Sequence, residues 1–153
     1  MALYLVQHGK SLPKDLDPDQ GLSDEGAAEV QRIADVAHGY GVQVRQIRHS
    51  TKTRARQTAA IFQAALHPTE PMQEMEGLKP LDDVKKITGT IRGEQNLMMV
   101  GHLPFMERLT AYLITGSADI KVFKFQNGGI LCLDSDLDRG EWYVTWALMP
   151  RIG

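Results

Sequence analysis

The sequence predicts an α/β protein built on a largely parallel sheet. Two observations carry that expectation. Apolar, strand-like runs alternate with helical patterns through the first two thirds of the chain, which implies right-handed βαβ units. The first run, Leu3 to Val6, is apolar at every position, as a central strand buried on both faces would be.

At 153 residues the chain is most simply one domain, residues 1–153, with no repeat, low-complexity tract or linker to suggest a second. Hydrophobic residues at 42% and charged residues at 24% are ordinary globular values. No apolar run is long enough to span a bilayer, and His8 and Lys10 interrupt the N-terminal run before it resembles a secretory signal. A cytoplasmic protein with no membrane partner is therefore expected. A net charge of -2 argues against a general nucleic-acid binder. The single cysteine, Cys132, excludes an internal disulfide and reads as a buried structural thiol within Ile130-Leu-Cys-Leu133.

Taken in order, the first strand ends in Gln7-His8-Gly9. Ser11 to Gly21, with two prolines, reads as a loop. Ser23 caps a helix over 24–39 with Asp24 and Glu25 in its first turn and Ala27, Val30, Ile33, Ala34 and Ala37 on its core face. Val42 to Ile47 alternates and reads as the second strand. A helix over 52–66, capped by Ser50 or Thr51, buries Ala55, Ala59, Phe62 and Leu66 and stops at His67-Pro68. Glu70 to Pro80 reads as irregular, and Leu81 to Ile91 as a helix begun by Asp82 and Asp83. Asn96 to Val100 is a third strand, ending in Gly101-His102. Pro104 opens a helix using Phe105, Leu109 and Leu113. Lys121 to Phe125, Gly129 to Leu133 and Trp142 to Met149 read as strands, the last two joined by the polar turn Asp134 to Gly140.

In an open α/β sheet, ligands bind at the C-terminal ends of the strands. Three such ends deliver His8, the start of a basic helix bearing Arg54, and His102. No acidic residue lies between Asp35 and Glu70, while Arg45, Arg48, Lys52, Arg54 and Arg56 fall within twelve positions. Two histidines and an arginine at a helix N-terminus suit a dianion, with phosphate the natural occupant. A histidine nitrogen is a competent nucleophile for phosphorus when its other nitrogen is held as a donor. A metal site would need further ligands, and no His-x-x-x-His or Cys-x-x-Cys spacing occurs. No metal or other cofactor is therefore expected. His8 alone also reads as a packed loop histidine, and the basic run as a solvated helix face.

Four blocks, Leu5-Val-Gln-His-Gly9, Leu22-Ser-Asp-Glu-Gly26, Ser50-Thr-Lys-Thr-Arg-Ala-Arg-Gln-Thr-Ala59 and Val100-Gly-His-Leu-Pro104, resemble in order the motifs of the histidine phosphatase (phosphoglycerate mutase-like) superfamily. Leu78-x-Pro80 and the ending Trp146-Ala-Leu-Met-Pro150 are similar to its small bacterial SixA-type branch of phosphohistidine phosphatases. The resemblance implies a three-layer α/β/α sandwich with a mostly parallel central sheet. It makes His8 the nucleophile that is transiently phosphorylated, and Arg54 and His102 the clamp on the phosphoryl oxygens. Gln7, Gly9, Lys10 and Ser50 join Arg54 and His102 as expected substrate-binding residues. The expected substrate is phosphohistidine on a signalling protein, handled by a monomer without a metal. The alternatives are a phosphatase or mutase for small phosphate esters, and a catalytically weak phosphate- or phosphoprotein-binding module.

The sequence departs from the family in two places. Gln7 replaces the arginine that precedes the motif histidine, removing a fixed charge that Lys10, Arg48 or Lys52 would have to supply. His49 stands where many relatives have serine and reads as a pocket-wall or surface residue. For a general acid, only Glu74, Glu76, Asp82 and Asp83 lie in the region where mutase-like relatives keep one, and each also reads as a solvated or capping carboxylate.

Overall fold

The computed structural model describes residues 2–91, 94–136 and 138–152. Its centre is a six-stranded sheet in the order β3-β2-β4-β1-β5-β6. The strands are β1 (Ala2–Gln7), β2 (Gln46–His49), β3 (Gln73–Glu74), β4 (Leu97–Gly101), β5 (Ile130–Asp136) and β6 (Glu141–Leu148). The first four are mutually parallel, and β5 and β6 add antiparallel to β1. Four helices, α1 (Asp24–Gly39), α2 (Thr53–Leu66), α3 (Val84–Ile91) and α4 (Phe105–Thr115), cover the faces.

The period of two in a strand sorts the side chains of β1 between two cores. Tyr4 and Val6 face α1 and α2, with Val30, Ile33, Ala59, Phe62, Met98 and Val100. Leu3 and Leu5 face α3 and α4, with Ile87, Ile91, Met99, Phe105 and Leu109. Strands covered on both sides in this way read as continuous apolar runs, and the three-layer arrangement follows. Each fully buried large side chain, such as Phe62 or Phe105, contributes roughly 1.5–3 kcal/mol of transfer free energy.

Several elements differ from expectation for identifiable reasons. The second strand begins at Gln46 because its partner β4 begins at Leu97, directly opposite. Val44 is buried against the α1–α2 core without a strand to pair with, so its alternation reported burial alone. Lys121–Phe125 forms no strand: both sides of β5 are already taken, by β1 and β6. Phe123 and Phe125 instead pack edge to face at 5.2 Å over the α3–α4 core. The two-residue β3 lies within the stretch expected to be irregular. Helix α3 starts at Val84, three residues late: Asp82 is taken up by the preceding turn, accepting from the Lys79 N–H, and Asp83 caps the helix by accepting from the Lys85 N–H in its first turn. In the β5–β6 turn, Leu137 lies outside the described residues, as do Met1 and Gly153 at the ends of the expected domain.

Helix α1 starts as predicted, with the Ser23 hydroxyl accepting from Gly26 N–H at 3.0 Å. Its core face holds Gly26 in place of the half-buried Ala27. A Cβ at Gly26 would lie 2.1 Å from the Lys10 carbonyl oxygen, so the glycine lets α1 rest directly on the backbone that leaves β1. Among the described residues no helix is long and apolar enough to cross a membrane.

Candidate active site

The parallel register brings three strand ends to one edge. His8 N–H donates to the Gly101 carbonyl at 3.0 Å and Ser50 N–H to the Val100 carbonyl at 3.1 Å, so the residues after β1, β2 and β4 lie side by side. The His8 and His102 rings are 5.0 Å apart, centroid to centroid, tilted by 55°. Arg54, in the first turn of α2, donates from Nε to His8 Nε2 at 3.3 Å. His8, Arg54, His102 and Ser50 are thus brought together.

The protonation of His8 follows from its neighbours. Its Nδ1 is 2.6 Å from the Gly9 carbonyl oxygen. A carbonyl only accepts, so Nδ1 carries the proton and Nε2 keeps its lone pair, in agreement with the Arg54 donor facing it. Burial lowers the His8 pKa from 6.5 to about 4, with the Arg54 charge adding to the fall and the Gly9 hydrogen bond opposing it. At neutral pH the ring is uncharged, with Nε2 unprotonated beside a cation. Arg54 is itself lowered by burial, and a guanidinium retains its charge regardless.

His102 is 1% exposed. Its Nε2 lies 2.6 Å from Ser50 Oγ, which also accepts from Lys52 N–H at 3.2 Å. If Ser50 gives its hydroxyl hydrogen to Nε2, the Ser50 oxygen, Nε2 and Lys52 N–H are all satisfied and the His102 proton sits on Nδ1. That Nδ1 is buried without a partner. Burial, then the charges of His8, Arg54 and Lys52, lower the His102 pKa to about 3.

The remaining expected site residues are placed as follows. Gly9 is buried and its N–H donates to Thr58 Oγ1. Gln7 ends β1 with its Oε1 buried and unpartnered. Lys10 turns to α1, where its ammonium meets Glu25 at 2.9 Å and Glu29 at 3.5 Å. Arg48 pairs with Glu94 at 3.3 Å. Ser50 does not cap α2: Lys52 holds the N-cap position and no side chain bonds there. His49 is 3% exposed, buried rather than at the surface. Glu74, Glu76 and Asp83 are exposed and Asp82 is half-buried. Among the described residues none of these four carboxylates bonds to His8, Arg54 or His102.

Three residues, Asn127, Gly128 and Thr58, escaped the sequence reading. Asn127 donates from Nδ2 to the His8 carbonyl at 3.0 Å, and Gly128 N–H donates to the Gln7 carbonyl at 2.8 Å. The signal was an Asn-Gly turn just before β5. Thr58 is fully buried among α2's apolar residues, and a lone hydroxyl in that stripe was its signal. A cavity of about 660 Å³ lies elsewhere, lined by Tyr4, Tyr40 and Trp146 among others. There Tyr4 donates to the Gln43 carbonyl, and burial raises its pKa to about 12.

Parallel strand ends thus carry two histidines beside an arginine on an α/β sandwich of the phosphoglycerate mutase-like class. The chain belongs to the histidine phosphatase superfamily (branch 1), whose sequence profile matches residues 3–82. Among solved structures it is similar to the protein histidine phosphatase SixA complexed with tungstate, at 22% identity and a TM-score of 0.86, covering 98% of this chain and 97% of that one. It is similar also to an Agrobacterium tumefaciens protein assigned as the phosphohistidine phosphatase SixA (27% identity, TM-score 0.77, 97% of each chain). A further similar structure is the alpha-ribazole phosphatase of Shigella flexneri (16%, TM-score 0.74, 100% of this chain and 98% of that one). No curated protein sequence matches the chain.

Proposed function

We propose that this protein is a phosphatase that works through a phosphohistidine on His8, and that its substrate is phosphohistidine carried by a signalling protein. The observation that carries this reading is the state of His8: neutral, protonated on Nδ1 by its bond to the Gly9 carbonyl, and presenting the Nε2 lone pair beside Arg54.

In this reading Nε2 attacks phosphorus in line as the bond to the leaving group breaks. The phosphoryl group passes to Nε2, and Nδ1 keeps its proton on Gly9. Arg54 leaves Nε2 for a phosphoryl oxygen, and His102 Nδ1–H supplies a second donor. Phosphoryl transfer is chiefly positioning and charge stabilisation, so these groups supply the main catalytic terms. Water then attacks the phosphohistidine, releasing inorganic phosphate and restoring His8.

Substrate class turns on the leaving group. An alkoxide needs a proton from a general acid, and the four nearby carboxylates bond elsewhere or face solvent. A substrate phosphohistidine protonated on its far nitrogen departs as neutral imidazole and needs no enzyme acid. The similar proteins named phosphohistidine phosphatases support the same choice. The test is kcat/KM for phosphohistidine or a simple phosphoramidate against phosphoglycerate. The phosphoramidate is expected to be the better substrate, and equal or faster turnover of the ester would favour a small-ester phosphatase instead.

A further inference from the structure

Gly9 is held through both of its backbone polar groups. Its carbonyl accepts the His8 Nδ1 proton at 2.6 Å, and its N–H donates to Thr58 Oγ1 at 2.9 Å. The Thr58 hydroxyl in turn donates to the Arg54 carbonyl at 2.8 Å. Thr58 is fully buried, one turn after Arg54 on α2, and bonds the backbone of Arg54 and of Gly9, the two residues that meet the Nε2 and the Nδ1 of His8. A threonine hydroxyl bonding four residues back along its own helix is common and by itself means little. Here the same oxygen also receives an amide from the neighbouring strand end, which a helix-internal role does not require.

We propose that Thr58 is a positioning residue that fixes the tautomer of His8, by holding the N–H of the His8–Gly9 peptide so that the next carbonyl along, that of Gly9, is presented to the Nδ1 proton. The consequence for chemistry rests on the reading of His8 as the nucleophile, but the tautomer lock does not. With the Thr58 oxygen removed, Gly9 N–H loses its buried acceptor, its peptide keeps only the Asn127 bond and tilts about it, and the Gly9 carbonyl that follows shifts with it. The carbonyl then leaves Nδ1, and the tautomer protonated on Nε2, which has no lone pair to attack with, becomes populated. Asn127 holds the carbonyl of that same His8–Gly9 peptide, so Thr58 and Asn127 together fix the plane from which the Gly9 carbonyl turns back to Nδ1, while His8 N–H to the Gly101 carbonyl fixes the peptide before it.

The experiment pairs Thr58→Val, of nearly the same shape, with Thr58→Ser, which keeps the oxygen. Imidazole ¹⁵N shifts at neutral pH report the His8 tautomer directly, without substrate. Wild type and Thr58→Ser are expected to show a protonated Nδ1 and a bare Nε2, and Thr58→Val a mixture of tautomers. In parallel, kcat on a phosphoramidate should fall roughly ten- to a hundredfold in Thr58→Val, with a smaller change in vanadate inhibition and recovery in Thr58→Ser. A purely structural threonine would lower the thermal midpoint and leave the tautomer alone, and that result overturns the proposal. A shifted tautomer with unchanged kcat upholds the lock and instead removes His8 as the nucleophile. Should Thr58→Val not fold, Thr58→Ala carries the same expectation.

Discussion

Two strand ends in this molecule look alike and do different things. After β1 comes His8-Gly9, and β2, parallel to it, ends in His49 with Ser50 next. In both, the ring's Nδ1 bonds the carbonyl of the next residue, at 2.6 Å and 2.8 Å. The difference lies in what surrounds the second nitrogen. His8 Nε2 meets Arg54, and its ring faces that of His102. His49 sits between β3 and β4, opposite Glu74 and Val100, 3% exposed. A backbone-locked tautomer is therefore a local property of a histidine at the end of a strand, whereas reactivity comes from neighbours that other elements supply.

The strongest way to break this comparison is to remove each ring. His8→Ala is expected to lower phosphoramidate turnover by roughly 10³-fold or more while the protein stays folded, because His8 is not a core residue. His49→Ala should do the reverse: a loss of stability of about 1–3 kcal/mol from a buried cavity, with kcat within a few-fold of wild type. Comparable losses of turnover in the two variants would erase the distinction. Chelator treatment should leave wild-type turnover unchanged, and a loss restored by zinc or magnesium would point to a metal in the reaction.

Acid sharpens the contrast from another side. His8 and His102 have pKa values of about 4 and about 3 when folded, against 6.5 for an ordinary histidine. Between those values the unfolded chain binds protons that the native site refuses. Stability from these two groups is therefore full above about pH 6.5 and is lost as pH falls through about 4 and then 3. Turnover should follow the lower limb: kcat/KM level toward neutrality and falling as His8 Nε2 titrates near pH 4. A rise in kcat/KM on acidification from pH 6 to pH 4 would contradict a neutral nucleophile. In His102→Gln the loss of stability below pH 6.5 should be shallower, measured by denaturant midpoints across the range.

How much of this was legible in the chain follows from the range of the interactions. The edge carrying His8, Arg54 and His102 could be read because each residue closes or opens an element whose apolar pattern is local. The two cores were legible for the same reason: Leu3 to Val6 declares a strand covered on both sides. What could not be read depends on partners far apart in sequence. Nothing near Lys121–Phe125 reveals that β5 already has neighbours on both sides, and nothing near Lys10 reveals that Glu25 and Glu29 hold its charge. Thr58 and Asn127 act on the backbone of a segment 49 and 119 residues away, respectively.

The smallest effect is expected at Gln7, where β1 ends one residue before His8. Of the three cations able to replace the charge its glutamine lacks, Lys10 is paired with Glu25 and Glu29, and Arg48 with Glu94. Lys52 is in no ion pair among the described residues, is exposed, and its charge reaches His102. A neutral hydrogen bond from Gln7 is worth about 0.5–1.5 kcal/mol, and one from a charged group about 1.5–3. The deficit is roughly 1–2 kcal/mol, on the order of tenfold. Charge builds on the phosphoryl oxygens during transfer, so a restored cation helps the transition state at least as much as the ground state. Gln7→Arg is thus expected to lower the vanadate inhibition constant and raise kcat/KM, each by up to about tenfold. If neither changes in Gln7→Arg, while Lys52→Ala weakens vanadate by that factor, Lys52 already supplies the charge. If wild type binds vanadate without turning over phosphoramidate, and Gln7→Arg restores turnover, the natural protein is a phosphate-binding module that kept its nucleophile and lost the charge to use it.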